Sequence, residues 1–133
     1  MRTIKLLDCT LRDGGHVNDF NFGWKSANGI ASGLSRANID IIELGFFKSA
    51  EYNRNRTIFS NIAQAEALIP EGPNVSEYSV MIRPDWTDIS KLESSDKIQY
   101  IRFAFHAKDL DETIFQASEA TRLGYKVFLN PVN

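Results

Sequence analysis

Hydrophobic and polar positions along this chain follow two rhythms that take turns. Short β-branched or aromatic runs, bounded by polar or Gly/Pro residues, predict strands at residues 4–10, 39–46, 78–82, 100–105 and 126–130. Between them, helical spacing predicts helices at residues 25–35, 57–68, 87–94 and 110–123. In 57–68 the positions Ile58, Ile62, Ala65 and Ile69 recur at three- and four-residue steps, and Pro70 supplies the stop. The helix at 110–123 carries the fullest set of signals. Asp109 is its expected N-cap, and Asp111 and Glu112 suit its first turn. The expected apolar stripe is Leu110, Ile114, Ala117 or Ser118, and Leu123 with Thr121 beside it, ending at Gly124.

Strands alternating with helices imply parallel strands joined by right-handed crossovers. In 100–106 the residues Ile101, Phe103 and Phe105 make one apolar face, while Tyr100, Arg102, Ala104 and His106 share the other. In 39–46, Ile42 and Leu44 face one way and Ile41, Glu43 and Gly45 the opposite; in 79–83, Val80 and Ile82 oppose Ser79, Met81 and Arg83. A sheet sandwiched between two helical layers is apolar on both faces. A barrel wears its helices outside and can hold polar side chains within, near its upper rim. The pattern therefore predicts an α/β fold of the parallel (βα)8 TIM-barrel type. Eight such units take about 250 residues. A fifth strand without a covering helix would leave apolar surface and an open edge. The expectation is that residues 1–133 are the first half of one barrel domain, strands 1–5 with helices 1–4.

Composition narrows the classes of function. Lys+Arg total 15 against 17 Asp+Glu, a net charge of −2, which argues against a nucleic-acid partner held by bulk positive charge. A hydrophobic share of 43% sets the chain apart from disordered, charge-rich sequences. The single cysteine, Cys9, cannot form an internal disulfide and reads as a small buried apolar residue. No run approaches the roughly 18 apolar residues of a membrane span, and the N-terminus has no signal-peptide core. A soluble, cytoplasmic chain with neither a nucleic-acid nor a membrane partner is expected.

Candidate chemistry concentrates after the first strand, in Asp8-Cys9-Thr10-Leu11-Arg12-Asp13-Gly14-Gly15-His16. In a barrel this loop lies on the C-terminal face, where active sites sit. Asp13 suits a divalent cation as a hard oxygen ligand. Arg12 suits negative charge developing on a substrate oxygen, and His16 has the pKa range for acid–base work at neutral pH. Two glycines allow a sharp turn. A surface Arg–Asp ion pair on an ordinary turn would have the same composition, and both readings stand on chemistry alone.

The segment DCTLRDGGHVNDFNFG resembles the first-strand signature of the metal-dependent barrel lyases and synthases related to hydroxymethylglutaryl-CoA lyase, isopropylmalate synthase and 4-hydroxy-2-oxovalerate aldolase. IDIIELGF is similar to the second strand of that superfamily with its glutamate, and YIRFAFHAKDLDETIFQASEATRLGYKVFL to strand four, helix four and strand five of the aldolase branch. The resemblance implies that Arg12 holds an enolate oxygen, that Asp13 ligates Mn2+ or Mg2+, and that His16 acts as base on a substrate hydroxyl. It places Glu43 beside the metal and its arginine. The implied reaction is aldol or retro-aldol cleavage of a 4-hydroxy-2-oxo acid to pyruvate and an aldehyde, in a full-length parent. The superfamily completes its metal site with an H-x-H at strand seven, which residues 1–133 do not contain. Alternatives are an acyl-CoA or carboxyl transferase on the same barrel, and an inactive half-barrel that self-associates edge to edge as a homo-oligomer.

Other residues carry open readings. His106 lines substrate or hydrogen-bonds a loop. Arg102 faces the same interior as Glu43 and is expected to pair with it. Asp8 orients Arg12, pairs with Arg102 or acts directly. Asn130 contacts substrate or ties down the rim. Residues 48–56, with Arg54 and Arg56, recognise an anionic tail or form a solvated loop. Residues 18–22 close over substrate or pack on the barrel top.

Overall fold

The computed structural model describes residues 3–132. Its strands are β1 (Leu7–Asp8), β2 (Ile41–Phe47), β3 (Ile58–Phe59), β4 (Glu77–Ile82), β5 (Tyr100–Phe105) and β6 (Lys126–Pro131). Its helices are α1 (Thr10–Asp13), α2 (Trp24–Arg36), α3 (Ile62–Glu66) and α4 (Leu110–Arg122). The strands are parallel in the order β1-β2-β4-β5-β6, with β3 adding to β2 outside that path. Those five strands curl through 203°, the parallel half-barrel that the alternating faces predict.

The two faces of the sheet do different work. Ile42, Leu44, Phe47, Val80, Ile82, Ile101 and Phe103 point outward into one large core beneath the helices. α2 closes that core with small residues four apart, Ala27, Ala31 and Ser35, which let the helix approach the strands closely. The concave side holds a smaller cluster, Phe46, Ile58, Met81 and Ala104, with Phe20 and Trp86 packed against it.

Strict alternation predicts Gly45 on the concave side, but the structure puts Phe46 there. Between Glu43 and Phe46 the register of β2 against β4 slips: Glu43 faces Ser79 and Phe46 faces Met81. Two steps on β4 are matched by three on β2, a β-bulge that turns the end of the strand over. Gly45 makes this possible. Its φ is +154°, and a Cβ there would lie 2.1 Å from the Thr57 carbonyl oxygen. That same oxygen accepts the Phe46 N–H.

Several expected elements are shorter or displaced. β1 covers only part of 4–10, because the Asp8 carboxylate accepts the N–H and the hydroxyl of Thr10 and turns the chain into α1. The predicted helix at 57–68 gives up its first residues to β3, which pairs with the end of β2. Helix then begins at Asn61, whose side chain accepts the Gln64 N–H while Gln64 reaches back to the Asn61 backbone. The predicted helix at 87–94 is replaced by two 3₁₀ turns, Pro84–Trp86 and Ile89–Lys91. There Asp88 bonds both the N–H and the hydroxyl of Ser90, an alternative to continued helix.

α4 lies where its signals put it, and Gly124 ends it at φ +99°. Asp109 sits at the N-cap without a side-chain bond. The buried face is Thr113, Gln116 and Ala120, whereas Leu110 and Ile114 of the expected stripe stay exposed. A polar anchor holds that rotation: the Gln116 amide donates to the Pro84 carbonyl at 3.2 Å, while the Thr113 hydroxyl donates back to the Asp109 carbonyl of its own helix. No helix among the described residues is long and apolar enough to cross a membrane.

Candidate functional site

The concave face carries one fully buried carboxylate. Glu43 sits at mid-strand on β2 with no exposed surface. Its Oε1 accepts Arg12 Nε at 2.8 Å and Arg102 Nη2 at 2.6 Å, and its Oε2 accepts Arg102 Nε at 2.7 Å. Arg102 therefore makes the paired, fork-like contact of charge-assisted bonds. Burial works against its charge, and the Glu43 carboxylate outweighs that cost, holding the guanidinium above its ordinary pKa. The expected Glu43–Arg102 pair is present, joined by a second arginine.

Arg12 reaches this carboxylate because α1 lifts it off the end of β1. Its Nη1 donates to Asp13 Oδ1 at 2.7 Å, so one guanidinium links a buried and an exposed carboxylate. The Asp13 side chain is 64% exposed and stands at the rim. Asp8 pairs with neither Arg12 nor Arg102; its carboxylate accepts the N–H and the hydroxyl of Thr10.

His16 lies in the 3₁₀ turn Gly14–Val17, edge-on to Phe20 at 5.3 Å and to Phe46 at 6.3 Å between ring centroids. Gly15 has a packing role rather than a turning one: a Cβ on it would fall 2.1 Å from the Phe20 ring. Phe20 itself has φ +60°, a conformation rare for a bulky residue. Residues 18–22 pack on the barrel top, as the Phe20 carbonyl accepts the Thr57 N–H and Asn21 bridges to Arg56. Arg56 is bonded to the Asp19 carbonyl and carboxylate, and Arg54 stacks on Trp24. The basic loop is thus largely spent on internal contacts.

A cavity of about 200 Å³ opens at the C-terminal ends of the strands. Arg12, His16, Arg83, Trp86, Arg102 and Asn130 line it together with the apolar Phe46, Met81 and Ala104. Below it a wider hollow of about 590 Å³ runs down the concave face past Arg12 and Arg102 to Lys5 and Tyr100. The structure thus brings Arg12, His16 and Asn130 to one cavity, with Glu43 behind the arginines and Asp13 at the rim. His106 is not among the cavity-lining residues: it follows β5, and its carbonyl accepts the Asp109 N–H. Arg83 and Trp86 are site residues that the sequence reading passed over. The alternation Ser79, Met81, Arg83 already pointed that arginine inward.

The fold has a solved counterpart. A crystal structure described as "the N-terminal domain of a putative aldolase from Bacteroides vulgatus" is similar to this chain, with a TM-score of 0.69 at 22% identity over 96% of this chain. The chain spans 44% of that structure's length. At that identity the likeness bears on the fold alone. No protein-family model and no curated protein matches the sequence.

A divalent metal centre finds little to hold it. Among the described residues no three His, Cys, Asp or Glu side chains gather in metal-binding range. The oxygens of Glu43 are already bonded by guanidinium groups, and Asp13 shares one of its two with Arg12. A hard cation wants six or more oxygen ligands, protein or water. The described residues do not fit that need by themselves.

Proposed function

We propose that this half-barrel carries the anion-binding side of a carbon–carbon lyase active site, part of a barrel domain whose remaining strands lie in a longer protein. The substrate class is a 4-hydroxy-2-oxo acid. The observation that carries the reading is the triad Arg12–Glu43–Arg102: two guanidinium groups fixed on one buried carboxylate beside a small cavity with an apolar wall.

The chemistry follows from the charges. Arg12 and Arg102 receive the carboxylate and 2-oxo oxygens of the substrate, and their positions are set in advance by Glu43 rather than by water. His16 takes the proton of the C4 hydroxyl. As that oxygen becomes an aldehyde carbonyl, the C3–C4 bond breaks and its electron pair moves onto the 2-oxo oxygen, giving pyruvate enolate. Fixed positive charge at that oxygen is worth most at this point, where negative charge develops. Phe46, Met81 and Ala104 give the leaving aldehyde an apolar wall. Protonation at C3 then releases pyruvate. Asp13 is the residue from which an ion such as Mn2+ or Mg2+ would draw one ligand, and no step here depends on it.

The test is pyruvate release from 4-hydroxy-2-oxo acids by the longer protein. Arg12→Ala is expected to lower kcat/KM at least about 100-fold, the range for loss of one oxyanion partner. Activity within a few-fold of wild type in that variant would overturn the reading.

A second reading has its own observation. Ile114 and Leu129 are about half exposed, at 51% each, along the α4–β6 border, and Leu6 is 63% exposed beside β1. We infer that two copies of this chain associate through these edges.

A further inference from the structure

One side of the mouth carries more positive charge than the triad accounts for. Arg83 follows β4 directly, and its guanidinium stacks 4.0 Å from the centre of the Trp86 ring. The Lys48 ammonium lies 4.5 Å from the same ring centre. Trp86 is held firmly: its carbonyl accepts the Ser49 N–H, its ring packs on Phe46 at 5.8 Å, and the next residue, Thr87, donates to the Phe47 carbonyl at 2.9 Å. Both cations thus lie within cation–π reach of one indole, and of the two it is Arg83 that lines the cavity.

Asp85 accepts Nε and Nη2 of Arg83 at 3.2 and 2.9 Å as a partly exposed fork, which orients the guanidinium. Arg83 Nη1 and Lys48 Nζ have no hydrogen-bond partner among the described residues. The cavity that Arg83 lines, with Arg12 and Arg102 on the same wall set, holds about 200 Å³, below the roughly 300–1,000 Å³ of drug-sized pockets. A cavity of that size takes a short acid rather than a drug-sized ligand.

We propose that Arg83, positioned by Trp86 and Asp85, is a second anion subsite that selects 2-oxo acids bearing a further carboxylate at the far end. The inference rests on the reading of Arg12 and Arg102 as the site of the 2-oxo acid head. Arg83 is then a specificity residue: it distinguishes a terminal carboxylate from a terminal methyl on chains of equal length.

Two five-carbon probes test this, 2-oxoglutarate and 2-oxovalerate, titrated into the 133-residue chain and followed by calorimetry and by the Trp86 indole N–H resonance. Wild type is expected to bind 2-oxoglutarate at least 10-fold more tightly. Arg83→Met is expected to bring the ratio near 1. Arg83→Lys is expected to restore part of the preference. Equal affinities in wild type, or a preference that survives Arg83→Met, would overturn the subsite while leaving the head-group reading intact if Arg12→Met still weakens 2-oxovalerate. Binding of 2-oxoglutarate that depends on Arg83, with no detectable binding of 2-oxovalerate, would uphold the subsite and sink the head-group reading. Absence of binding by both acids would overturn both.

Discussion

Glu43 is defined by what it holds. Its two oxygens accept three guanidinium N–H groups, and this bonding fixes Arg12 and Arg102 in place. Glu43→Gln keeps the shape, removes the charge and turns an amide N–H toward a guanidinium. Breaking a buried ion pair on one side costs about 3–5 kcal/mol, and a loss of about 3 kcal/mol is expected here by urea denaturation. A loss below about 1 kcal/mol would show that solvent already screens the triad. Arg102 was legible as the partner of Glu43, since strand parity puts both on the concave face. The fate of Asp8 was not, because a two-residue loop bond to Thr10 leaves no periodic trace.

Tyr125 offers a second residue-level test. It is buried between α4 and β6 and its hydroxyl donates to the Glu93 carbonyl at 2.5 Å. Burial, followed by the nearby Glu66 and Glu93, pushes the phenol well above its ordinary value of 10.0. A pKa raised on folding means that the folded state holds the proton more tightly. The resulting stability is complete below about pH 10 and is lost as pH rises above it. Denaturation midpoints measured from pH 8 to 11.5 are expected to fall in the upper part of that range. Tyr125→Phe should flatten the fall, leaving the share due to Tyr78, whose phenol burial also raises. An unchanged slope in the variant would remove Tyr125 from the account.

Among the elements, β2 carries the feature on which the site depends. The bulge at Gly45 turns Phe46 inward, and Phe46 then meets His16, Phe20 and Trp86 around the mouth. Gly45→Ala would drive a Cβ into the Thr57 carbonyl, whose backbone cannot swing away like a flexible side chain. A cost of about 1–3 kcal/mol is expected, as for other overpacked positions. The two-dimensional NMR spectrum should show shifts concentrated at Phe46, Thr57 and His16; a uniformly native spectrum with full stability would contradict this. No reading of alternation could place the bulge, because its cause is a carbonyl twelve residues downstream. α3 differs in kind. Its capping box, Asn61 to Gln64, was written in the sequence and was overridden by an apolar spacing that ran back to Ile58. The exposed face of α4 was misassigned for a third reason: Thr113 and Gln116, polar by composition, are buried, each with a hydrogen bond to a carbonyl.

For the whole molecule the curl of the sheet was the most legible property, since three strands showed one apolar face and one carrying ionisable groups. Its open borders are the source of a further expectation. If two copies meet along the α4–β6 and β1 edges, sedimentation velocity at tens of micromolar should show a dimer, and the paired change Ile114→Lys with Leu129→Lys should return it to monomer. A wild-type chain that sediments as a monomer at that concentration would remove the second reading.

The hollow beneath the arginines has an electrostatic consequence. Two charges about 4 Å apart attract by about 1 kcal/mol where water surrounds them and by about 4 kcal/mol at the lower permittivity of a protein surface. Arg12 and Arg102 border a space of about 590 Å³ that reaches solvent, so their field on any bound anion is damped by water on that side. Whatever covers the concave face drains that space and multiplies the pull of the same two guanidinium groups several-fold without moving an atom. Closure of the sheet would then act as a gain control on the site, with a matching signature: the ionic-strength dependence of anion binding should be steep in the open half-barrel and shallow once it is enclosed.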